Sequence, residues 1–222
     1  MKIGLIVIAT GKYDVFIKPL YESFKKYFLV NQETKMIVFT DKNLNNDDII
    51  TVHQDHLGWP NATLKRYHVF DKNKELLSKF DYLYYCDADM LFVDYVGDEI
   101  LGERVGTIHP GFYNKYGTYE TNQKSLAYVK PSEGKKYYAG GFNGGKSENF
   151  LMMCNIIKNN IEIDLKNNIV AVWHDESHLN RYFIDNPPTI ELSPSYCYPE
   201  SWTIPFSKKL LALDKNHKEI RS

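Results

Sequence analysis

The chain has no long apolar run, almost no net charge and few cysteines, and each shortage removes a class of function. No stretch approaches the roughly 18 consecutive apolar residues of a membrane span. Basic and acidic residues nearly cancel, 27 against 28, so no basic field points to nucleic acid or an anionic membrane surface. The three cysteines, Cys86, Cys154 and Cys197, match neither a disulfide framework nor a zinc site by spacing. Met1 to Thr10 is apolar with one early lysine, but the polar turn Gly11-Lys12-Tyr13-Asp14 follows where a signal peptide would place small residues for cleavage. This segment therefore reads as a first buried strand. The expectation is a soluble, cytoplasmic protein in a reducing compartment, with a small-molecule partner, no nucleic acid and no membrane span.

What remains is a chain of 222 residues, 43% hydrophobic, enough to bury one sizeable core. Phe16, Ile17, Leu20, Tyr21, Phe24, Tyr27 and Phe28 recur at three- and four-residue steps and predict a helix, with Pro19 tolerable in its first turn. Met36-Ile37-Val38-Phe39 and Ile49-Ile50-Thr51-Val52 predict strands, as does Tyr82-Leu83-Tyr84-Tyr85-Cys86. A helix is expected from about 61 to 80, and others near 147–158 and 176–184. The alternation predicts an α/β fold, a mainly parallel sheet with helices on both faces. Ligands of such sheets sit beyond the carboxyl ends of the strands, where Ala9-Thr10, Thr40-Asp41 and Asp87-Ala88-Asp89 would share a crevice.

Four segments could carry chemistry. Asp87 and Asp89, at a strand end where the chain must turn, can flank one hard cation whose shell substrate phosphates complete, although Asp-x-Asp also occurs in ordinary turns. His174-Asp175-Glu176-Ser177-His178, after Trp173, packs polar groups onto a helix start. Two histidines one turn apart would suit zinc, but Asp175 stands where His-Glu-x-x-His peptidases carry their general base. Glu176 is the favoured reacting carboxylate. Tyr137 to Gly145 has four glycines in six residues, a turn or a place where a ligand approaches the main chain closely. It lacks the lysine of a phosphate-binding loop. His109-Pro110-Gly111-Phe112-Tyr113 offers one apolar and one polar ring, suited to a sugar or to core packing.

Together these segments resemble glycosyltransferase family 6, the retaining α-1,3-galactosyl- and N-acetylgalactosaminyltransferases. The resemblance runs through Val38-Phe39-Thr40-Asp41, the Asp-x-Asp, Thr107 to Tyr113, Thr118-Tyr119-Glu120, the glycine segment, Trp173 to Asn180 and Leu192-Ser193-Pro194, and so through nearly the whole chain. It implies a GT-A fold with a nucleotide-binding half over about 1–105, an acceptor-binding and catalytic half over about 106–206, and a mobile tail over 207–222. By motif position, Ile8, Ala9, Thr10 and Tyr13 would hold uracil and ribose. Asp87, Ala88 and Asp89 would meet the diphosphate, with manganese, or magnesium in its place, on the two aspartates. Arg66 matches an arginine that contacts the donor, and Lys215 and Arg221 match tail cations that close over the diphosphate.

The resemblance makes Gly140 and Gly141 selectors of the donor sugar, with room for an N-acetyl group. UDP-N-acetylgalactosamine is then the expected donor, ahead of UDP-galactose. His109, Phe112, Thr118, Trp173 and Asp175 match residues that contact a galactose-terminated glycan, often fucosylated. Glu176 matches the nucleophile or stabilising carboxylate, and retention is compatible with double displacement or with same-face attack. The chain lacks the anchor and stem of vertebrate members and so resembles the soluble bacterial type. It departs from them at Ala139, where many carry a bulkier residue, and at Tyr198-Pro199-Glu200, where they carry Trp-Asp. Two readings from other classes are a zinc hydrolase built on His174 and His178 and a glycan-binding module without chemistry.

Overall fold

The computed structural model describes residues 1–220. Strand β1 (Lys2–Ile8) is followed by a short 3-10 segment, Gly11–Phe16, and helix α1 (Ile17–Tyr27). Then come β2 (Glu33–Thr40), β3 (Ile49–His53) and three short helices, α2 (Asn61–Leu64), α3 (Arg66–Lys72) and α4 (Lys74–Leu77). The chain continues through β4 (Tyr82–Cys86), β5 (Met90–Phe92), β6 (Arg104–Ile108), β7 (Tyr138–Lys146), α5 (Ser147–Lys166) and α6 (His174–Asp185). It closes with β8 (Ile190–Leu192), β9 (Tyr198–Pro199) and β10 (Leu210–Ala212) before a last short helix.

One seven-stranded sheet, in the order β3-β2-β1-β4-β7-β6-β8, spans both halves of the chain. The pairings β1 with β2, β2 with β3, β1 with β4 and β6 with β8 are parallel, as expected, whereas β7 runs antiparallel to both its neighbours. Both faces are covered, which the period of two explains. Leu5, Val7, Met36, Val38 and Tyr84 point into one apolar cluster with Phe24 and Phe28 beside or on α1. Their sequence neighbours Ile6, Ile37, Phe39, Leu83 and Tyr85 point into a second, with Phe70, Phe150 and Ile157 from α3 and α5.

Two expectations are corrected. The helix over 61–80 is broken at Lys65 and Asn73, both near φ −100° and ψ +15 to +20°. The Asn73 amide donates back to Val69 O at 2.8 Å, a local bond that competes with helix continuation, and the break at Lys65 lets Arg66 turn inward. The glycine segment is not a turn but the buried strand β7. Glycine permits it: a Cβ on Gly144 would lie 2.3 Å from Leu83 O of β4, so any side chain there would push the two strands apart. Facing β6, the register jumps from Gly106 opposite Asn143 to Thr107 opposite Ala139. Residues 140–142 thus bulge away from β6 while Gly141 O still accepts from Asp87 N at 2.9 Å.

A small second sheet, β5-β10-β9, brings the end of the chain back to the Asp-x-Asp segment, where Leu213 N donates to Asp89 O at 2.9 Å.

Candidate active site

The ends of β1 and β4 and the bulge of β7 open onto a cavity of about 400 Å³. Ile8, Thr10 and Tyr13 line it from the β1 side, Asp87, Ala88 and Asp89 from the end of β4, and Gly140 and Gly141 from the bulge. Trp173, Asp175 and Glu176 enter from the start of α6, and Arg66 and Lys215 complete the wall. Ala9 is fully buried and backs this wall rather than lining it. Arg221 lies outside the described residues.

Arg66 is the electrostatic centre. Its Nη1 donates to Gly140 O at 2.9 Å, its Nη2 to Asp87 Oδ1 at 3.2 Å, and its Nε faces Asp175 Oδ2 at 3.2 Å. The guanidinium also lies 4.1 Å from the centre of the Tyr85 ring. Burial works against its charge, but Asp175, Tyr85 and Asp87 outweigh this and raise its pKa, so it remains a fixed cation. Asp175 is 1% exposed; burial pushes its carboxyl up to about 6 against the pull of Arg66. Glu176 is pushed up to about 7, again by burial, with the Gly140 N–H and the Tyr137 hydroxyl opposing. Gly140 N donates to Glu176 Oε2 at 2.8 Å, a donor that the bulge has withdrawn from the sheet ladder. A carboxyl in a cleft whose ionisation falls near neutral pH is a reacting-group candidate on physical grounds. At the same helix start His174 has a φ of +53°, a left-handed backbone uncommon outside glycine.

The two aspartates divide their roles. Asp87 Oδ1 accepts from both Arg66 and the Tyr85 hydroxyl, the latter at 2.5 Å, while Oδ2 lies toward Gly141. Asp89 forms an ion pair with the Lys215 ammonium. Among the described residues no group of three histidine, cysteine or acidic side chains forms a closed metal cage. An open pair of carboxylates on one cavity wall fits a hard cation that keeps its other positions for phosphate and water.

The two histidines of the zinc reading occupy different surroundings. His174 lines the cavity with its ring against Trp59, whereas His178 is 2% exposed with Nε2 3.6 Å from Asp164. His109, Phe112 and Thr118 stand outside the cavity. The rings of His109 and Phe112 pack on Tyr137, which comes just before β7. Burial lowers the His109 pKa to about 4, and Nδ1 accepts from Gly111 N at 3.0 Å, so the neutral ring carries its proton on Nε2 and presents it as a donor.

Sequence reasoning missed His56, whose Nδ1 lies 3.0 Å from Thr10 Oγ1, and Trp59, Thr63 and Tyr85, all on the cavity wall. It also missed Asp41 in a structural role: Oδ1 accepts from Gly11 N at 2.8 Å and shapes the turn after β1. Gly58-Trp59-Pro60 was the one signal that could have located the loop.

The sequence model of glycosyltransferase family 6 matches residues 1–222. The chain belongs to glycosyltransferase family 6. It is 36% identical over 238 residues to histo-blood group ABO system transferase 1 of Rattus norvegicus, covering 99% of this chain and 68% of the relative. It is 34% identical over 242 residues to globoside alpha-1,3-N-acetylgalactosaminyltransferase 1 of Homo sapiens, covering 100% and 69%. It is 31% identical over 226 residues to the O-antigen biosynthesis glycosyltransferase WbnI of Escherichia coli, covering 97% and 95%. Family 6 membership makes this chain a glycosyltransferase, with a nucleotide-sugar donor and a glycan acceptor, and agrees with the α/β sheet of a GT-A fold. Among the described residues no helix is long and apolar enough to cross a membrane.

Proposed function

We propose that this family 6 member transfers N-acetylgalactosamine from UDP-N-acetylgalactosamine to a galactose-terminated glycan, in α-1,3 linkage and with retention of configuration. The observation that carries the reading is the wall shared by Glu176, Gly140, Arg66 and Asp87, which joins a carboxyl, a space beside it and a charge-bearing end within one cavity.

The uracil and ribose lie against Ile8, Thr10 and Tyr13, and the diphosphate extends toward Asp87, Ala88 and Asp89. Asp87 and Asp89 would hold a divalent cation, manganese in the leading reading, which supplies neutralising charge to the departing diphosphate. Lys215 turns from Asp89 toward the phosphates as they arrive and adds a second positive group. Asp87 would offer Oδ2 to the cation, since Arg66 and Tyr85 hold Oδ1.

The sugar ring rests over Gly140 and Gly141. A Cβ on Gly141 would lie 3.1 Å from Asp87 Oδ2 and 3.4 Å from Cys197 Sγ, so glycine keeps open the space that an N-acetyl group needs. The bond from the anomeric carbon to the diphosphate oxygen breaks with its electron pair going to UDP. Ionised Glu176 meets the positive charge that grows on the sugar, and the acceptor hydroxyl oxygen forms the new bond as its proton passes to the released diphosphate. His109 Nε2–H, Phe112, Thr118, Trp173 and Asp175 orient the galactose. Asp175 also acts indirectly, since its ion pair with Arg66 sets the charge around Glu176.

Incubation with UDP-N-acetylgalactosamine or UDP-galactose, a panel of galactosides, and manganese or EDTA tests donor, acceptor and cation together. Faster transfer from UDP-galactose would overturn the donor assignment, and undiminished transfer with EDTA would overturn the cation.

A further inference from the structure

Trp202 is 47% exposed and stands outside the cavity, on the segment between β9 and β10. Its presentation is built. The Tyr198 hydroxyl, on a buried side chain, accepts from Ile204 N at 3.0 Å, and Trp202 N donates to Pro199 O at 3.1 Å, which closes the chain into a tight loop. Glu200 fastens that loop to the end of the chain: its N–H donates to Ala212 O and its Oε2 accepts from Asp214 N, each at 2.9 Å. These bonds fix the backbone from which the exposed indole projects.

The loop is also fixed relative to the segment carrying His109. Tyr113 and Phe206 meet edge to face with ring centres 5.1 Å apart, one ring from each loop. The Trp202 ring edge and the His109 ring both approach one point, the place a Cβ on Gly111 would take, at 3.8 and 3.2 Å. Gly111 therefore leaves a notch between a neutral imidazole donor and an exposed indole. Convergence of a polar group and an apolar ring on one open notch suits a sugar, which offers hydroxyls at its rim and C–H groups on its face.

We propose that Trp202 is the platform of an outer acceptor subsite, which stacks on the second sugar ring, the one to which the terminal galactose is attached. This inference rests on the assignment of His109 to galactose, and it extends that binding surface by one ring. The donor cavity takes no part in it, since Trp202 does not line it. Acceptor length, rather than the identity of the terminal sugar, is what Trp202 reads.

Steady-state kinetics with two acceptors test the subsite: methyl β-galactoside, which ends at the first ring, and lactose, which has the second. For Trp202→Ala the KM for lactose should rise about tenfold with kcat retained, equivalent to ~1.4 kcal/mol of binding. The KM for methyl β-galactoside should not change, and Trp202→Phe should recover most of the lactose loss. UDP-sugar hydrolysis without acceptor, equal in the variants and the unaltered enzyme, reports an intact fold. Equal changes for both acceptors, or none for either, overturn the subsite. Failure of the unaltered enzyme to use any galactoside would instead overturn the acceptor assignment itself, and the subsite with it.

Discussion

Gly140 faces two partners of opposite character: its N–H donates to Glu176 Oε2 at 2.8 Å and its carbonyl accepts from Arg66 Nη1 at 2.9 Å. One peptide segment of the β7 bulge thus sets both the carboxyl proposed to react and the cation behind it. Arg66 should then be a structural as well as an electrostatic element. Replacing it with Met leaves Asp175 buried and unpaired, and loss of one partner of a buried pair costs about 3 kcal/mol or more. Urea unfolding at pH 8 should show that loss, while the same substitution made together with Asp175→Asn should recover much of it.

The raised pKa of Glu176 gives two pH effects of opposite use. The proposed mechanism uses the ionised carboxylate, and on that basis kcat/KM should rise with pH through about 7 and fall below it. Stability runs the other way. The folded protein holds the Glu176 proton up to about 7, whereas the unfolded chain releases it in the ordinary glutamate range, so stability falls as pH rises between the two. Glu176→Gln should therefore be more stable than the unaltered protein at pH 8, by up to about 3 kcal/mol, and equal to it near pH 4. Paired thermal melts at the two pH values check this.

Gly141→Ala places a methyl group 3.1 Å from Asp87 Oδ2, in the space assigned to the N-acetyl group. The preference for UDP-N-acetylgalactosamine over UDP-galactose should fall by about tenfold or more, the size of effect that one methyl has in a fitted pocket. Competition between the two donors in one mixture reads the ratio directly.

Glu120 joins two segments proposed to bind the acceptor: Oε1 accepts from Asn122 N and Oε2 from Val172 N, both at 2.7 Å, so the loop bearing Thr118 is tied to the residue before Trp173. Glu120→Ala should raise the acceptor KM about five- to thirtyfold, a loss of ~1 to 2 kcal/mol for charge-assisted bonds. UDP-sugar hydrolysis without acceptor should be unchanged, which a general loss of folding would not allow.

Much of this was legible in the chain. Apolar runs located β1, β2 and β4, because strands buried on both faces need no polar alternation, and Asp87-Ala88-Asp89 followed from the end of β4. The glycine run concealed β7, since a strand with no side chains to pattern carries no periodic signal and its partners are far away in sequence. The helix breaks at Lys65 and Asn73 were equally hidden, because the inward turn of Arg66 depends on Asp87 and Asp175, which only the fold supplies. His56 reached the site on the loop before Gly58-Trp59-Pro60, a signal for the loop that says nothing of the histidine. The polar cluster at the start of α6 pointed to Glu176, but only packing explains why burial pushes its carboxyl up to about 7.

Asp89→Asn tests the cation site. The side chains of Asp89 and Lys215 are 10% and 16% exposed, so breaking their ion pair should lower stability, and manganese binding by the folded protein in the presence of UDP should weaken at least tenfold. Calorimetric titration of manganese into the UDP complex measures it.

The central claim is retaining transfer onto galactose, and the most direct test is the proton NMR spectrum of the product made from UDP-N-acetylgalactosamine and a β-galactoside. The account predicts a new anomeric signal with the small coupling of an α-linked sugar, joined at position 3 of galactose, and its loss in Glu176→Gln. A β-linked product, or full α-linked product from Glu176→Gln, would contradict it.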